Sequence, residues 1–258
     1  MATDDTDSLV VTGQGNRLVT TGCLTILIAL ITVLGLPVSW LWYRHWHDEK
    51  VNSERRDKTF ASTLKQARDA ANDTTRALNA SNARGTDVLM NVIWRHTRAP
   101  VITYDPRRRA FTATAAKSAF YNEEGLLPGG GPVRVMRCFV FTYAHRPSQV
   151  WTSRLSEREN EVCRPGTGIG GLAGLARTRI SGMYAKDLTK AGVRKALDPT
   201  GRLRPYDVKS VVRKADTVAV SILLSSSNTV VDQCYRFTRP IVGVNGQTPV
   251  TAAPVSSC

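Results

Sequence analysis

The four cysteines that follow the long apolar segment are the clearest chemical feature of this 258-residue chain. Two of them lie in sequences that echo each other, because each is followed by an aromatic residue, any residue, Phe and Thr. The echoes are Arg-Cys-Phe-Val-Phe-Thr around Cys138 and Gln-Cys-Tyr-Arg-Phe-Thr around Cys234. Another cysteine follows 25 residues after the first and 24 residues after the second. Four cysteines allow three pairings, and this repeated spacing favours the disulfides Cys138–Cys163 and Cys234–Cys258.

Two other uses of these cysteines remain open at this point. A structural zinc site usually contains ligands at close spacing, such as Cys-x₂-Cys, and the four cysteines contain no such pair. Four buried, unpaired thiols are the second alternative. A thiol at Cys258 would be reactive, whereas a disulfide there would pin the tail, so we expect bridges. By loop entropy each bridge would contribute about 3 kcal/mol, and such bridges are typical of oxidising compartments outside the cytoplasm.

The histidines and carboxylates do not form a recognisable active site. His45 and His47 precede Asp48 and Glu49 and could bind a metal weakly or titrate near neutral pH. The neighbouring tryptophans favour instead a place at a membrane surface. His145 follows a predicted strand, but no serine or cysteine in a nucleophile-elbow context accompanies it. We therefore expect no catalytic residues, no metal and no cofactor, and hence a protein that is not an enzyme.

Two further motifs are too weak to predict nucleotide or nucleic-acid binding. The Gly-rich stretch Gly166–Gly174 precedes a predicted helix, where backbone N–H groups can hold a phosphate. The P-loop pattern would continue with Lys-Ser or Lys-Thr, but Leu175-Ala176 follows here, so we interpret the stretch as a flexible loop. The basic turn Arg107–Arg109 has a single aromatic neighbour, Tyr104, whereas nucleic-acid sites carry interleaved aromatics on a basic stripe. We do not expect a nucleic-acid partner.

The element that organises these residues is an uncharged run from Leu18 to Tyr43. A transmembrane helix needs about 20 apolar residues to cross the hydrocarbon core, and this run is longer. Pro37 is tolerated in such a helix, although it tends to kink it. Aromatic side chains prefer the headgroup layer. We predict a transmembrane helix whose membrane-interface residues are Trp40, Trp42, Tyr43 and Trp46.

An uncleaved signal-anchor agrees with the flanking sequence better than a cleaved signal peptide. A signal peptide has a basic leader and an apolar core of about 7–15 residues, but this leader is acidic and the run is too long. Two signals for the membrane orientation disagree. The basic residues after the run favour a cytoplasmic carboxyl-terminal domain by the positive-inside rule, whereas the cysteine pattern favours an extracytoplasmic one. We predict the extracytoplasmic orientation. The opposing basic residues are Arg44, Lys50, Arg55, Arg56 and Lys58.

The rest of the chain predicts an α+β fold with a helical stalk, followed by an antiparallel-sheet domain with one internal packed helix. We assign 1–17 to a disordered tail, 18–43 to the transmembrane helix, 44–97 to the stalk and a docking helix, and 98–258 to the disulfide-pinned domain. A break is expected at 79–85, and the docking helix at 87–96. The remaining predictions are an internal helix at 175–197, a charged turn at 156–161, an irregular segment at 243–258, and five or six paired strands among 101–104, 111–116, 133–143, 150–154, 206–214, 217–225 and 229–239.

Composition constrains the partners more than the activity. The net charge is +14, so the surface attracts anionic lipid headgroups, acidic wall polymers or other polyanions. With the lipid bilayer as one partner, we expect an interaction or scaffold domain that contacts an envelope protein. A ligand-binding or sensor domain at the membrane surface is the alternative, and an enzyme acting at that surface is a third. A pocket with convergent polar groups would favour the ligand-binding alternative.

Overall fold

The structure is a computed structural model that describes residues 15–81, 83–124, 130–146, 150–201, 205–226, 231–241 and 249–258, and for 15–24 the backbone alone. These residues divide into two compact units, one from 1–55 and 122–132 and one from 56–121 and 133–258. We call the second unit the head. The predicted disordered tail lies mostly outside the described residues, which begin with a helix at Gly15.

Four α-helices and eight strands are described, and the fold is α+β as predicted. The helices are α1 (Gly15–Ala80), α2 (Thr86–Thr97), α3 (Asn160–Ser181) and α4 (Lys190–Leu197), with a short 3₁₀ turn at Ala185–Asp187. The strands are β1 (Val101–Asp105), β2 (Ala110–Asn122), β3 (Pro132–His145), β4 (Trp151–Arg158), β5 (Tyr206–Lys214), β6 (Thr217–Ser225), β7 (Asp232–Pro240) and β8 (Thr251–Val255).

The strands form two antiparallel sheets rather than the single sheet that the sequence predicted. One sheet has the order β1-β2-β3-β4 and the other has the order β5-β6-β7-β8. Each strand therefore pairs with its neighbour in sequence. The expected irregular carboxyl-terminal segment contains β8, which pairs with β7 from Thr251 to Val255. Pro254 is tolerated there because β8 pairs on one side, and proline is confined to such edge positions in sheets.

The first sheet carries its own hydrophobic core, to which the last turns of α1 contribute. Ala67, Ala71 and Leu78 of α1 are buried in one cluster with Phe111 and Phe139 of the sheet. These α1 residues lie four and seven positions apart, so they share one face of the helix. The small alanines allow close approach of the helix, so this part of the predicted stalk belongs to the head. Met90 and Ile93 of α2, the predicted docking helix, complete the same cluster.

The second sheet is covered by α3 and α4. Ile169 and Ile180 of α3 and Val193 of α4 are buried with Val220 and Phe237 of the sheet. Burying each such side chain contributes about 1.5–3 kcal/mol relative to its exposure, so this cluster holds both helices against the sheet. The prediction of a single internal helix at 175–197 is wrong, because a break at Gly182–Thr189 separates two helices.

The Gly-rich stretch is helical rather than a flexible loop. It lies inside α3, which begins six residues earlier at Asn160. A Cβ atom built on Gly170 would lie 3.2 Å from Pro100 Cβ, and one on Gly166 would lie 3.4 Å from Pro100 Cγ. Glycine therefore lets α3 approach the start of β1 closely, and this packing offsets the low helix propensity of glycine. The predicted charged turn at 156–161 is likewise replaced by the end of β4 and the start of α3.

The head contains the same arrangement twice. We call α1 from Thr59 onward, α2 and β1–β4 the first half, and α3, α4 and β5–β8 the second half. Each half has two helices followed by a four-stranded sheet with strands in sequence order. Each third strand carries one of the echoed cysteines, and from that cysteine onward the same positions of the two strands are buried. The buried equivalents are Cys138 and Cys234, Phe139 and Tyr235, Phe141 and Phe237, and Tyr143 and Arg239.

Candidate membrane anchor and disulfide-linked head

The amino-terminal part of α1 is long and apolar enough to cross a membrane. An 18-residue window has a mean hydropathy of 2.0, and none of that window is buried within the protein. The polar Thr32 donates its hydroxyl to the Ile28 carbonyl oxygen at 2.8 Å. Such a bond lowers the cost of placing threonine in hydrocarbon. The helix therefore presents an apolar surface with few unsatisfied polar groups among its described side chains.

Aromatic side chains are concentrated where this apolar surface ends. The predicted interface residues Trp40, Trp42, Tyr43 and Trp46 are all exposed on α1. The Arg44 guanidinium carbon lies 5.2 Å from the centre of the Trp40 ring, a cation–π distance. The Tyr43 ring stacks on His47 with centroids 6.1 Å apart. The described side chains contain no group of three or more His, Cys, Asp or Glu that could hold a metal ion.

A polar contact on α1 that the sequence did not reveal lies within the smaller unit. The Asn52 side-chain amide donates to the Glu124 carbonyl oxygen at 2.7 Å and accepts from the Glu124 N–H at 2.8 Å. Arg55 forms an ion pair with the Glu124 carboxylate and donates to the Asn122 carbonyl oxygen at 3.0 Å. Both ion-pair partners are partly exposed, so the ion pair itself contributes little, whereas the paired amide fixes the position of residue 124 on the helix.

The cysteines lie at disulfide distance in the pairs that the sequence favoured. The sulfur atoms are 2.10 Å apart in Cys138–Cys163 and 1.98 Å apart in Cys234–Cys258. Each bridge links the third strand of a sheet to the segment that follows the fourth strand. Cys163 lies in the first turn of α3, so the first bridge also joins the sheet of the first half to the leading helix of the second. Cys258 follows β8, so the second bridge secures that edge strand.

Two side chains of β7 hold the start of β1. The buried Gln233 accepts a hydrogen bond from the Ile102 N–H at 3.0 Å and donates to the Val255 carbonyl oxygen at 3.1 Å. Tyr235 donates its hydroxyl to the Pro100 carbonyl oxygen at 2.7 Å. Burial raises the pKa of Tyr235, so this hydroxyl remains a donor across the physiological range. These bonds join the two halves through the backbone of β1.

Asp87 of α2 is a second junction between the halves. Its carboxylate accepts two hydrogen bonds from Ser256, which follows β8, and lies 3.2 Å from the Arg236 guanidinium. Sequence reasoning missed Asp87 and Gln233 because their partners are far away along the chain and no motif surrounds them. The sequence contained one signal for this junction. Gln233 is a polar residue next to Cys234, in a strand where apolar residues alternate.

No family model, curated protein or solved structure matches this chain.

The remaining predicted sites are dispersed. Arg107 and Arg108 lie exposed in the β1–β2 turn, where both backbone N–H groups donate to the Asp105 carboxylate at 3.0 and 3.3 Å. His145 at the end of β3 contacts the Trp151 ring in an edge-on arrangement with centroids 4.9 Å apart. The glycines of the former loop prediction lie within α3, away from its amino terminus. The structure therefore does not bring these residues together.

Proposed function

We propose that this chain is a single-pass, signal-anchored membrane protein whose head works outside the cytoplasm as a non-enzymatic interaction or scaffold domain. The observation that carries the proposal is the pair of cysteine bridges in a head that follows one membrane-length apolar helix. Disulfides persist in oxidising compartments and are rare in the cytoplasm. An interaction role is supported by the duplicated head, which has two hydrophobic cores of its own and still exposes large apolar side chains such as Val88, Phe120 and Tyr184.

The partners we propose are the lipid bilayer and an envelope protein, with anionic lipid or an acidic wall polymer as further contacts. The net charge of +14 favours anionic surfaces. Positive residues after the apolar run oppose the extracytoplasmic orientation, but large domains translocate largely regardless of charge. The cysteine bridges therefore receive more weight in this assignment.

Cysteine labelling in intact cells tests the orientation. Arg107 is exposed in the β1–β2 turn, so Arg107→Cys should react with a membrane-impermeant maleimide before lysis. Ser8→Cys, on the opposite side of the apolar run, should react after lysis alone. The unsubstituted chain gives the background from its own cysteines. Protection of Arg107→Cys in intact cells, with labelling of Ser8→Cys, would show the opposite orientation. Release of the chain from membranes by alkaline carbonate would contradict the transmembrane anchor.

A second candidate function is ligand binding by the head. It is favoured by one specific observation, a cavity of about 240 Å³ between α2, α3 and the second sheet that is lined by two arginines and two aromatic residues. This function requires no change in the proposed architecture, because an anchored domain can bind both a small ligand and a protein partner.

A further inference from the structure

The cavity lies where the two halves of the head meet. Its volume is about 240 Å³, which is below the range of 300–1,000 Å³ typical of sites for drug-sized ligands. A ligand held in this open cavity would therefore be small. The lining comes from both halves, so the site exists only when the halves are joined. The first half contributes Trp94, Arg98 and Pro100, and the second contributes Gly170, Ala173, Gly174, Arg177, Tyr235 and Ala252.

The charge of the lining is entirely positive. Arg98 and Arg177 are the charged residues that line the cavity, and no carboxylate lines it. Among the described residues neither guanidinium takes part in an ion pair. Lys117 adds a third cation close by, since its ammonium donates to the Thr97 carbonyl oxygen at 2.8 Å. Burial and the charge of Arg98 lower the pKa of Lys117, so the two cations are close enough to influence each other.

Arg98 ends α2 with its side chain against the Trp94 ring. Arg98 caps the end of α2 with a φ of 56°, in the left-handed region. Glycine is the usual residue at this position, because a side chain there is strained. The arginine places its guanidinium carbon 4.8 Å from the centre of the Trp94 ring. Contact with an aromatic face restricts a guanidinium while leaving its N–H donors available to a ligand.

The rest of the lining is largely apolar, and part of it borders open space. A Cβ atom on Gly174 would meet nothing within 4 Å, so this glycine borders free space rather than a packed neighbour. Ala173 and Ala252 add small apolar surfaces, and the Tyr235 hydroxyl is already engaged with the Pro100 carbonyl oxygen. The cavity thus combines two guanidinium groups with an aromatic and aliphatic wall.

We propose that this junction cavity binds a small organic anion, a carboxylate or phosphate monoester that carries an apolar group. Guanidinium groups match the paired oxygens of both anions through two parallel hydrogen bonds, and the wall of Trp94, Ala173 and Gly174 accepts the apolar group. The proposal does not depend on which side of the membrane the head occupies. Its failure would leave the anchor and orientation untouched.

Titration by NMR tests the site directly. The full chain is prepared in a non-ionic detergent with ¹⁵N-labelled tryptophan, and the Trp94 indole signal is assigned with Trp94→Phe. Benzoate, phenyl phosphate, inorganic phosphate and neutral benzyl alcohol are the probes. The Trp94 signal should shift saturably with benzoate and phenyl phosphate, while the Trp151 signal stays unchanged. A soluble short-chain phosphatidic acid distinguishes the source, since tighter binding than phenyl phosphate would assign the anion to a lipid headgroup.

Two matched pairs of variants locate the binding. Arg98→Ala with Arg177→Ala should weaken benzoate binding at least about tenfold, because each lost charged hydrogen bond approaches one decade in affinity. The control is Arg95→Ala with Arg164→Ala, which also removes one exposed arginine from α2 and one from α3. Gly174→Leu should fill the cavity and abolish binding, whereas Gly171→Leu on the same helix, with equally open space, should leave it intact.

The outcomes separate a built site from general attraction. Equal weakening by the two arginine pairs would show diffuse charge attraction and overturn the proposal, as would the absence of a saturable Trp94 shift with both organic anions. If inorganic phosphate bound as tightly as phenyl phosphate, the apolar group would contribute nothing to binding, and that part of the proposal would be wrong. If the arginine variant does not fold, as judged by its thermal transition, the glycine pair still decides the question.

Discussion

Asp87 and Ser256, 169 positions apart in the chain, are joined by two hydrogen bonds to a single oxygen atom. The Ser256 N–H lies 2.9 Å and its hydroxyl 2.7 Å from Asp87 Oδ1. Arg236 approaches the second carboxylate oxygen at 3.2 Å. Burial alone would raise the pKa of Asp87, but the bonds from Ser256 and the charge of Arg236 outweigh it. The pKa therefore lies below its ordinary value of 3.8.

This low pKa predicts an acid-dependent contribution to stability. Since the folded pKa of Asp87 is depressed, its contribution is present above the unfolded value and is lost as the pH falls through the folded one. Asp87→Asn should lower the free energy of unfolding by about 1 kcal/mol at pH 7. The deficit should shrink below pH of about 4. Thermal unfolding from pH 3 to 7 measures it, with Asp69→Asn, at an exposed position of α1, as the control. If Asp87→Asn lost the same free energy of unfolding at pH 3 as at pH 7, the negative charge of Asp87 would not be the source of its contribution.

The second disulfide and the Asp87 contact should be energetically coupled. Removing either bridge by a double Cys→Ser replacement should cost about 3 kcal/mol by loop entropy. Ser256 lies two residues before Cys258, so loss of the Cys234–Cys258 bridge also loosens the partner of Asp87. Asp87→Asn should therefore cost less in that background than in the parent chain. Denaturant unfolding of the double-mutant cycle measures the difference.

The Cys138–Cys163 bridge provides the matched control for this cycle. Loss of Cys138–Cys163 leaves the segment around Ser256 pinned, so Asp87→Asn should retain its full cost in that background. If Asp87→Asn costs the same free energy of unfolding in both disulfide-free backgrounds, the Cys234–Cys258 bridge does not position Ser256. Mass spectrometry without reduction should detect the two linked peptide pairs, and four free thiols would contradict the bridges themselves.

Gln233 should be intolerant of an apolar replacement. Gln233→Leu removes the acceptor of the Ile102 N–H and the donor to the Val255 carbonyl oxygen, and buried groups left without partners cost about 1–3 kcal/mol. The free energy of unfolding should fall by that amount, and the Ile102 amide should exchange with solvent faster than its neighbours in β1. Gln66→Leu, at an exposed position of α1, is the control. An unchanged exchange rate at Ile102 would contradict the proposed junction.

Neighbouring glycines of α3 should respond oppositely to the same replacement. Gly170→Val places new methyl groups against the Pro100 ring, since even its Cβ would lie 3.2 Å from Pro100 Cβ. Such overpacking costs about 1–3 kcal/mol. Gly171→Val meets open space and should be neutral or slightly stabilising, because valine has a higher helix propensity than glycine. Melting temperatures of the two variants measure the contrast, and equal values would remove the argument for close packing at Pro100.

The parts of the fold that were predictable rest on local patterns. The alternation of apolar residues in Val133–Tyr143 predicted β3, and the uncharged run predicted the amino-terminal part of α1. The echo around Cys138 and Cys234 predicted which sulfurs lie together because equivalent strands place their cysteines equivalently. These signals are contained within a few residues, so no knowledge of the tertiary fold was required.

The errors arose where distant packing outweighs local propensity. The glycines of 166–174 indicate a loop by propensity, but their contact with Pro100, some 70 residues earlier in the chain, makes them helical. The Pro254 segment lacks a strand signal and becomes β8 because β7 offers an edge. The junction cavity was equally hidden, because Arg98 and Arg177 belong to different halves and line one cavity only in the folded head.

The bond between Ile102 and Gln233 also has a consequence for biosynthesis. The two residues are separated by 131 positions, so at 5–20 residues per second the ribosome delivers the second on the order of 10 s after the first. During this interval β1 has its hairpin partner but neither Gln233 nor Tyr235 to hold its start. Truncated or stalled chains would carry that exposed strand edge, a template for aggregation. The head can therefore complete its fold only after β7 has been synthesised.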